Sequence, residues 1–195
     1  MIDALLATAE LIKRDVALQQ ALAAKLARID TSRPLILVTG HRRESFGIGI
    51  EQICDALKRL AMHHAVEIIY PVHLNPNVDA VVRKRLMKVA NVHLLEPLDY
   101  VSFVYLMHKA RIIVTDSGGV QEETTFLGVR CLTARPNTER PITIIQGTNR
   151  LVSSRCDDLL QAVEASLRDQ RPAPGRPEFW DGSTAGRIVE VMANL

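Results

Sequence analysis

The chain has 195 residues, 47% of them apolar and 24% charged, with a formal net charge of +2. This is an ordinary globular composition, sized for one domain with appendages, and its near-neutral balance argues against a nucleic-acid binder. Three widely spaced cysteines, Cys54, Cys131 and Cys156, form no C-x-x-C pair and read as thiols of a reducing cytoplasm, with neither a disulfide framework nor a metal site. No run of about 18 apolar residues suggests a membrane span, and the first residues lack the order of a signal peptide.

Residues 2–29 are rich in Ala, Leu, Gln, Lys and Arg without Gly or Pro, which predicts one helix ending before the Asp30–Pro34 break. "LILV" (35–38) is a continuous apolar run, as expected of a strand buried on both faces. After the polar loop "TGHRRESFG", residues 48–63 place Ile50, Ile53, Leu57 and Leu60 at helical spacing. The alternation then repeats: strand 66–72, helix 77–89, strand 92–95, helix 99–109, strand 111–115, helix 119–127, strand 129–133. A strand at 149–153, a helix at 156–169, an irregular "RPAPGRP" and a closing helix at 183–193 complete the chain. Such alternation predicts an α/β fold, a Rossmann-like parallel sheet of five or six strands with helices on both faces. Ligands in such sheets bind beyond the carboxyl ends of the strands.

The loops at those ends carry "TGHRRESFG", "HLNPN", "EPLDY", "DSGG" and "RPNTERP". The pair Gly118-Gly119 lets backbone N–H groups approach a ligand without a Cβ in the way. The helix start behind it adds unpaired donors and the positive end of the dipole, a combination suited to phosphate. Ser117 supplies a hydroxyl or serves as N-cap. Glu123 lies four residues beyond Gly119, on the same helix face, where a carboxylate can accept from both ribose hydroxyls. The bland alternative for Gln121-Glu122-Glu123 is complementation of the dipole. His41 is either a donor to a diphosphate or an ordinary loop histidine. Phe103 is either a base platform or core, and Trp180 is a packing anchor. "GIGIEQI" lacks the third glycine of a dinucleotide fingerprint.

Taken together, "VTGHRRESFG", "YPVHLNPNV", "VTDSGGVQEE", "LGV", "NTERP", "GTNRLV" and "WDGSTAGRIVEVM" closely resemble the non-hydrolysing UDP-N-acetylglucosamine 2-epimerases. The resemblance implies the C-terminal domain of a GT-B enzyme, with substrate held between two Rossmann-like domains. It implies interconversion of UDP-N-acetylglucosamine and UDP-N-acetylmannosamine by elimination and re-addition of UDP, with no cofactor or metal, in the cytoplasm. By resemblance His41 supports the phosphates, Ser117, Gly118 and Gly119 form the diphosphate loop, Glu123 binds ribose, and Arg140 belongs to the Thr-Glu-Arg-Pro loop. Phe103 lies beside uracil, Leu98 meets the base through its backbone, and His73 matches a histidine tied to a second, regulatory UDP-sugar site.

The start, "MIDALLATAE", resembles the segment following the family's first domain. The N-terminal half with its acid/base carboxylates is therefore expected to be absent, and the chain alone inactive. The expected organisation is a helical linker (1–32), a UDP-binding domain (33–182) and a C-terminal helix (183–195) that crosses to the first domain. Part of the apolar surface at Leu5, Leu6, Leu11, Ile12, Leu18 and Leu22, and on the last helix, is expected to be left wet, so that the chain self-associates as a homo-oligomer, aggregates or binds a separate N-terminal chain. The alternatives are a nucleotide-sugar binding module without chemistry and the donor domain of a GT-B glycosyltransferase.

Overall fold

The computed structural model describes residues 1–40, 47–169 and 177–194. Among these, six strands form one parallel sheet: β1 (Leu35–Thr39), β2 (Glu67–Pro71), β3 (Val92–Leu95), β4 (Ile112–Thr115), β5 (Arg130–Ala134) and β6 (Asn149–Val152). Their order is β3-β2-β1-β4-β5-β6. The chain winds outward from β1 through β2 to β3, then returns to pair β4 on the other side of β1. The winding direction reverses between β1 and β4, and in sheets of this kind ligands bind beyond the strand ends at such a reversal point.

The sheet is buried on both faces, and the strand pleat divides its side chains between two cores. Ile36 and Val38 point toward α3 (Ile48–His63), α4 (Pro76–Leu86) and α8 (Cys156–Arg168). Leu35 and Leu37 point the other way, toward α1 (Ile2–Arg14), α2 (Val16–Ala24), α5 (Tyr100–Lys109) and α6 (Gly118–Leu127). Ile36, Leu37, Leu57, Ile68 and Ile112 are fully buried, each stabilising the fold by about 1.5–3 kcal/mol relative to exposure. A short helix, α7 (Ile142–Ile145), precedes β6.

One expectation is corrected. Residues 2–29 are not one helix: α1 ends at Arg14, and Asp15 adopts an extended conformation and caps α2, its carboxylate accepting from the N–H of Leu18 at 2.8 Å. The bend lets both short helices follow the sheet, and burial of their apolar residues outweighs continuity of the helix. Leu5, Ile12 and Leu22 are therefore buried, Leu6 and Leu18 are partly covered, and only Leu11 of that set stays half exposed.

The part of the terminal apolar surface left wet lies mainly on the last helix. α9 (Thr184–Ala193) has no buried residue, and Ile188, Val189, Val191 and Met192 are all exposed. It is held at its start by polar contacts. The N–H of Ala185 donates to Asp3, and Arg187 donates to both carboxylate oxygens of Asp181 and to the carbonyl of Phe179. Trp180 packs, partly buried, at the margin of the core on the α1, α2, α5 and α6 face.

Candidate nucleotide site

Gly40 and Asp116 directly follow β1 and β4, at the reversal point of the sheet. The N–H of Asp116 donates to the carbonyl of Thr39, and a Cβ on Gly40 would sit 3.5 Å from the Asp116 carboxylate and 3.7 Å from the Tyr70 hydroxyl. The next residue, Ser117, is extended and stands as N-cap of α6, but its side chain makes no capping bond. Its N–H donates instead to Thr115 Oγ1. The hydroxyl is thereby positioned at the helix start without being consumed by capping.

Gly118 and Gly119 are the first two residues of α6. Neither has positive φ; among the described glycines that conformation belongs to Gly47, Gly128 and Gly182. Their value is the missing Cβ. A Cβ on Gly119 would come within 3.0 Å of the Met1 side chain, which lies over the turn in this structure. The start of α6 thus combines a donor-rich helix end with two residues that carry no Cβ.

Successive residues of a helix turn by about 100°, so Gln121, Glu122 and Glu123 leave α6 in three directions. Gln121 is fully buried. Glu122 reaches the 135–141 loop, where its Oε1 lies 2.7 Å from Nε of Arg140. Glu123, 5% exposed, accepts a 2.6 Å hydrogen bond from the hydroxyl of Tyr100. Burial pushes the Glu123 carboxyl upward; the Tyr100 donor opposes this and the neighbouring Glu122 charge adds to it. The Tyr100 hydroxyl is itself held protonated by burial and by this carboxylate.

α5 supplies the other wall. Asp99 caps it, accepting from both the N–H and the hydroxyl of Ser102 at 2.8 Å, and these bonds hold the Asp99 carboxyl below its ordinary range. The cap fixes Tyr100 at the first position of the helix. Phe103, one turn on, and Leu98, just before the cap, are half-buried against the core on the α1 and α5 face. Phe103 therefore has a packing role whatever else it does.

Ser117, Gly118, Gly119 and Glu123 thus share one helix start. Tyr100 joins α5 to that group through Glu123, and Glu122 joins Arg140 to it. His73 stands after β2, exposed, its Nδ1 accepting from the N–H of Asn75. His41 lies outside the described residues. Tyr100 and Glu122 were not singled out from the sequence as site residues; nothing in the local pattern shows their partners, which are distant along the chain.

A six-stranded parallel sheet in this order, with a Ser-Gly-Gly turn feeding a helix beside the reversal point, defines a Rossmann-like α/β domain of the kind found in GT-B enzymes. The chain belongs to the UDP-N-acetylglucosamine 2-epimerase family, whose model matches residues 1–193. It is 43% identical to the UDP-N-acetylglucosamine 2-epimerase of Escherichia coli strain K12, a match covering 100% of this chain and 53% of that protein. Among solved structures it resembles UDP-GlcNAc 2-epimerase from Neisseria meningitidis bound to UDP-GlcNAc, with TM-score 0.93 and 35% identity over 100% of this chain and 53% of that one. It also resembles the Methanocaldococcus jannaschii enzyme in complex with UDP-GlcNAc and UDP, with TM-score 0.85 and 28% identity over 100% and 53% of the two chains. The chain thus spans about half the length of the relatives it matches.

Proposed function

We propose that this chain supplies the UDP-holding half of an enzyme that interconverts UDP-N-acetylglucosamine and UDP-N-acetylmannosamine by eliminating and re-adding UDP. The observation that carries this is the single helix start at the sheet's reversal point, with Glu123 buried on one side and Arg140 drawn in on the other. The N–H groups of the Ser117–Gly119 turn and the Arg140 guanidinium take the diphosphate. They stabilise negative charge as UDP departs, when such donors contribute most. Glu123 accepts from the ribose hydroxyls. Phe103 and the backbone of Leu98 face the uracil, and His41 assists at the phosphates.

No candidate for moving the C2 proton is assigned here. Glu122 serves Arg140 and Glu123 the ribose, so the acid/base carboxylates come from a partnering N-terminal domain, linked or separate. The exposed apolar face of α9 is where that domain docks, and without it the chain pairs with a second copy through the same face. His73 is assigned to a second UDP-sugar site with a regulatory role. The reaction belongs in the cytoplasm, where the free thiols of Cys54, Cys131 and Cys156 persist.

Calorimetric titration with UDP tests the reading. The chain is expected to bind UDP, and Glu123→Ala and Arg140→Ala each to weaken binding about tenfold or more, the value of a charge-assisted hydrogen bond. Proton NMR of UDP-N-acetylglucosamine incubated with the purified chain is expected to show no epimer. Parental affinity in both variants would remove the ribose and phosphate assignments.

A further inference from the structure

Arg140 is gripped at both its main chain and its side chain, and both grips lead back to α6. Its N–H donates to Thr138 Oγ1 at 2.9 Å, and that hydroxyl donates to Gln121 Oε1 at 2.5 Å. Its carbonyl accepts from Thr143 Oγ1 at 2.7 Å. Asn149 of β6 closes the circuit, its amide donating to Gln121 Oε1 and to Thr143 Oγ1, both at 3.1 Å. Gln121 and Thr143 are fully buried and Asn149 nearly so. The residue between, Glu139, is fixed by two bonds from the buried Arg135. At the side chain, Glu122 sits 2.7 Å from Nε of Arg140.

The geometry points to Gln121 and Glu122 as positioning residues for Arg140. Gln121 sets the height of the arginine's backbone through Thr138, and the Glu122 carboxylate draws its guanidinium toward α6 as an ion pair. This rests on the proposed contact between Arg140 and the UDP phosphates. The physical reason is the cost of orienting a long side chain. A free arginine loses much rotamer entropy when it binds an anion, and a guanidinium already drawn to a carboxylate loses less. A buried polar circuit restricts the arrangements open to the loop, because breaking the bonds from Thr138 or Asn149 would strip Gln121 Oε1 of its donors. The arrangement also answers why two carboxylates stand side by side on α6. One faces the nucleoside end of the site; the other orients the cation of the phosphate end. A Glu122 that merely complemented the helix dipole would have no reason to act through Arg140.

A double-mutant cycle on the full chain decides this, with UDP affinity read by calorimetry and folding by circular dichroism. Glu122→Gln is expected to weaken UDP binding about threefold to tenfold, the range of coupling between contacting groups. In an Arg140→Ala background the same change is expected to have no further effect. Thr138→Val is expected to weaken binding similarly, and Thr138→Ser, which keeps the hydroxyl, to restore it. A Glu122→Gln protein that binds UDP as well as the parent or better, beside a weakened Arg140→Ala protein, overturns the inference alone. So do losses that multiply in the double variant. Parental affinity in Arg140→Ala itself overturns the phosphate assignment on which the inference rests.

Discussion

Tyr100→Phe removes one hydroxyl from the site and leaves the ring in place. The lost bond runs to a carboxylate that is 5% exposed, at 2.6 Å. A hydrogen bond to a charged group contributes about 1.5–3 kcal/mol when no substitute is available. Tyr100 is 40% exposed, so water reaches the vacated position, and a loss of about 1 kcal/mol is expected. For a chain of this size that lowers Tm by about 2–4 °C. The sign with pH follows from the ionised partner. The Tyr100 bond favours the charged form of Glu123 and so pulls its pKa down against the effect of burial. Its contribution is present when Glu123 is ionised and is lost as pH falls through the Glu123 pKa. Urea denaturation of parent and variant at neutral pH, and again below that titration, measures both parts. An equal loss at both pH values, or none at either, would refute the claim that the hydroxyl acts on the Glu123 charge.

Two further predictions follow from the packing. At Gly147 a Cβ would lie 2.3 Å from Thr125 Oγ1 and 2.4 Å from the carbonyl of Thr143. Gly147→Ala is therefore expected to cost about 1–3 kcal/mol, read as a lower urea midpoint, whereas an unchanged midpoint would mean the 143–148 turn yields freely. On α9, Val189→Asp with Met192→Asp is expected to change stability by no more than about 0.5 kcal/mol, since both side chains are exposed. The same pair should abolish self-association in light scattering. A parent that is already monomeric at high concentration would show that this face needs no cover.

The strands were legible because parallel strands buried on both faces must be continuously apolar, as in Leu35–Val38 and Ile68–Tyr70. The glycine turn at the start of α6 was legible because Gly118-Gly119 stands between an apolar strand and a helical segment. The break at Asp15 was not. Its only signal is a capping carboxylate inside a run of good helix formers, and tertiary packing chooses between a cap and a solvated side chain. Tyr100 was hidden for another reason. It meets Glu123 only because α5 and α6 lie side by side on the sheet, and sequence spacing carries no trace of that. The same holds for Glu122, which could be read locally only as a dipole partner.

The concentration of site groups on α6 has an evolutionary consequence. From Ser117 to Glu123 the Ser-Gly-Gly turn, the loop anchor Gln121, the arginine partner Glu122 and the buried carboxylate follow one another on a single helix. One inserted residue would rotate everything after it by about 100° and advance it by about 1.5 Å. All the pairings would then fail together, and no single substitution could restore them. This segment is thus free to vary in side chains that face only packing, such as Val120, but not in length. Insertions and deletions have to accumulate elsewhere, in connections such as the one after β2 where His73 stands exposed.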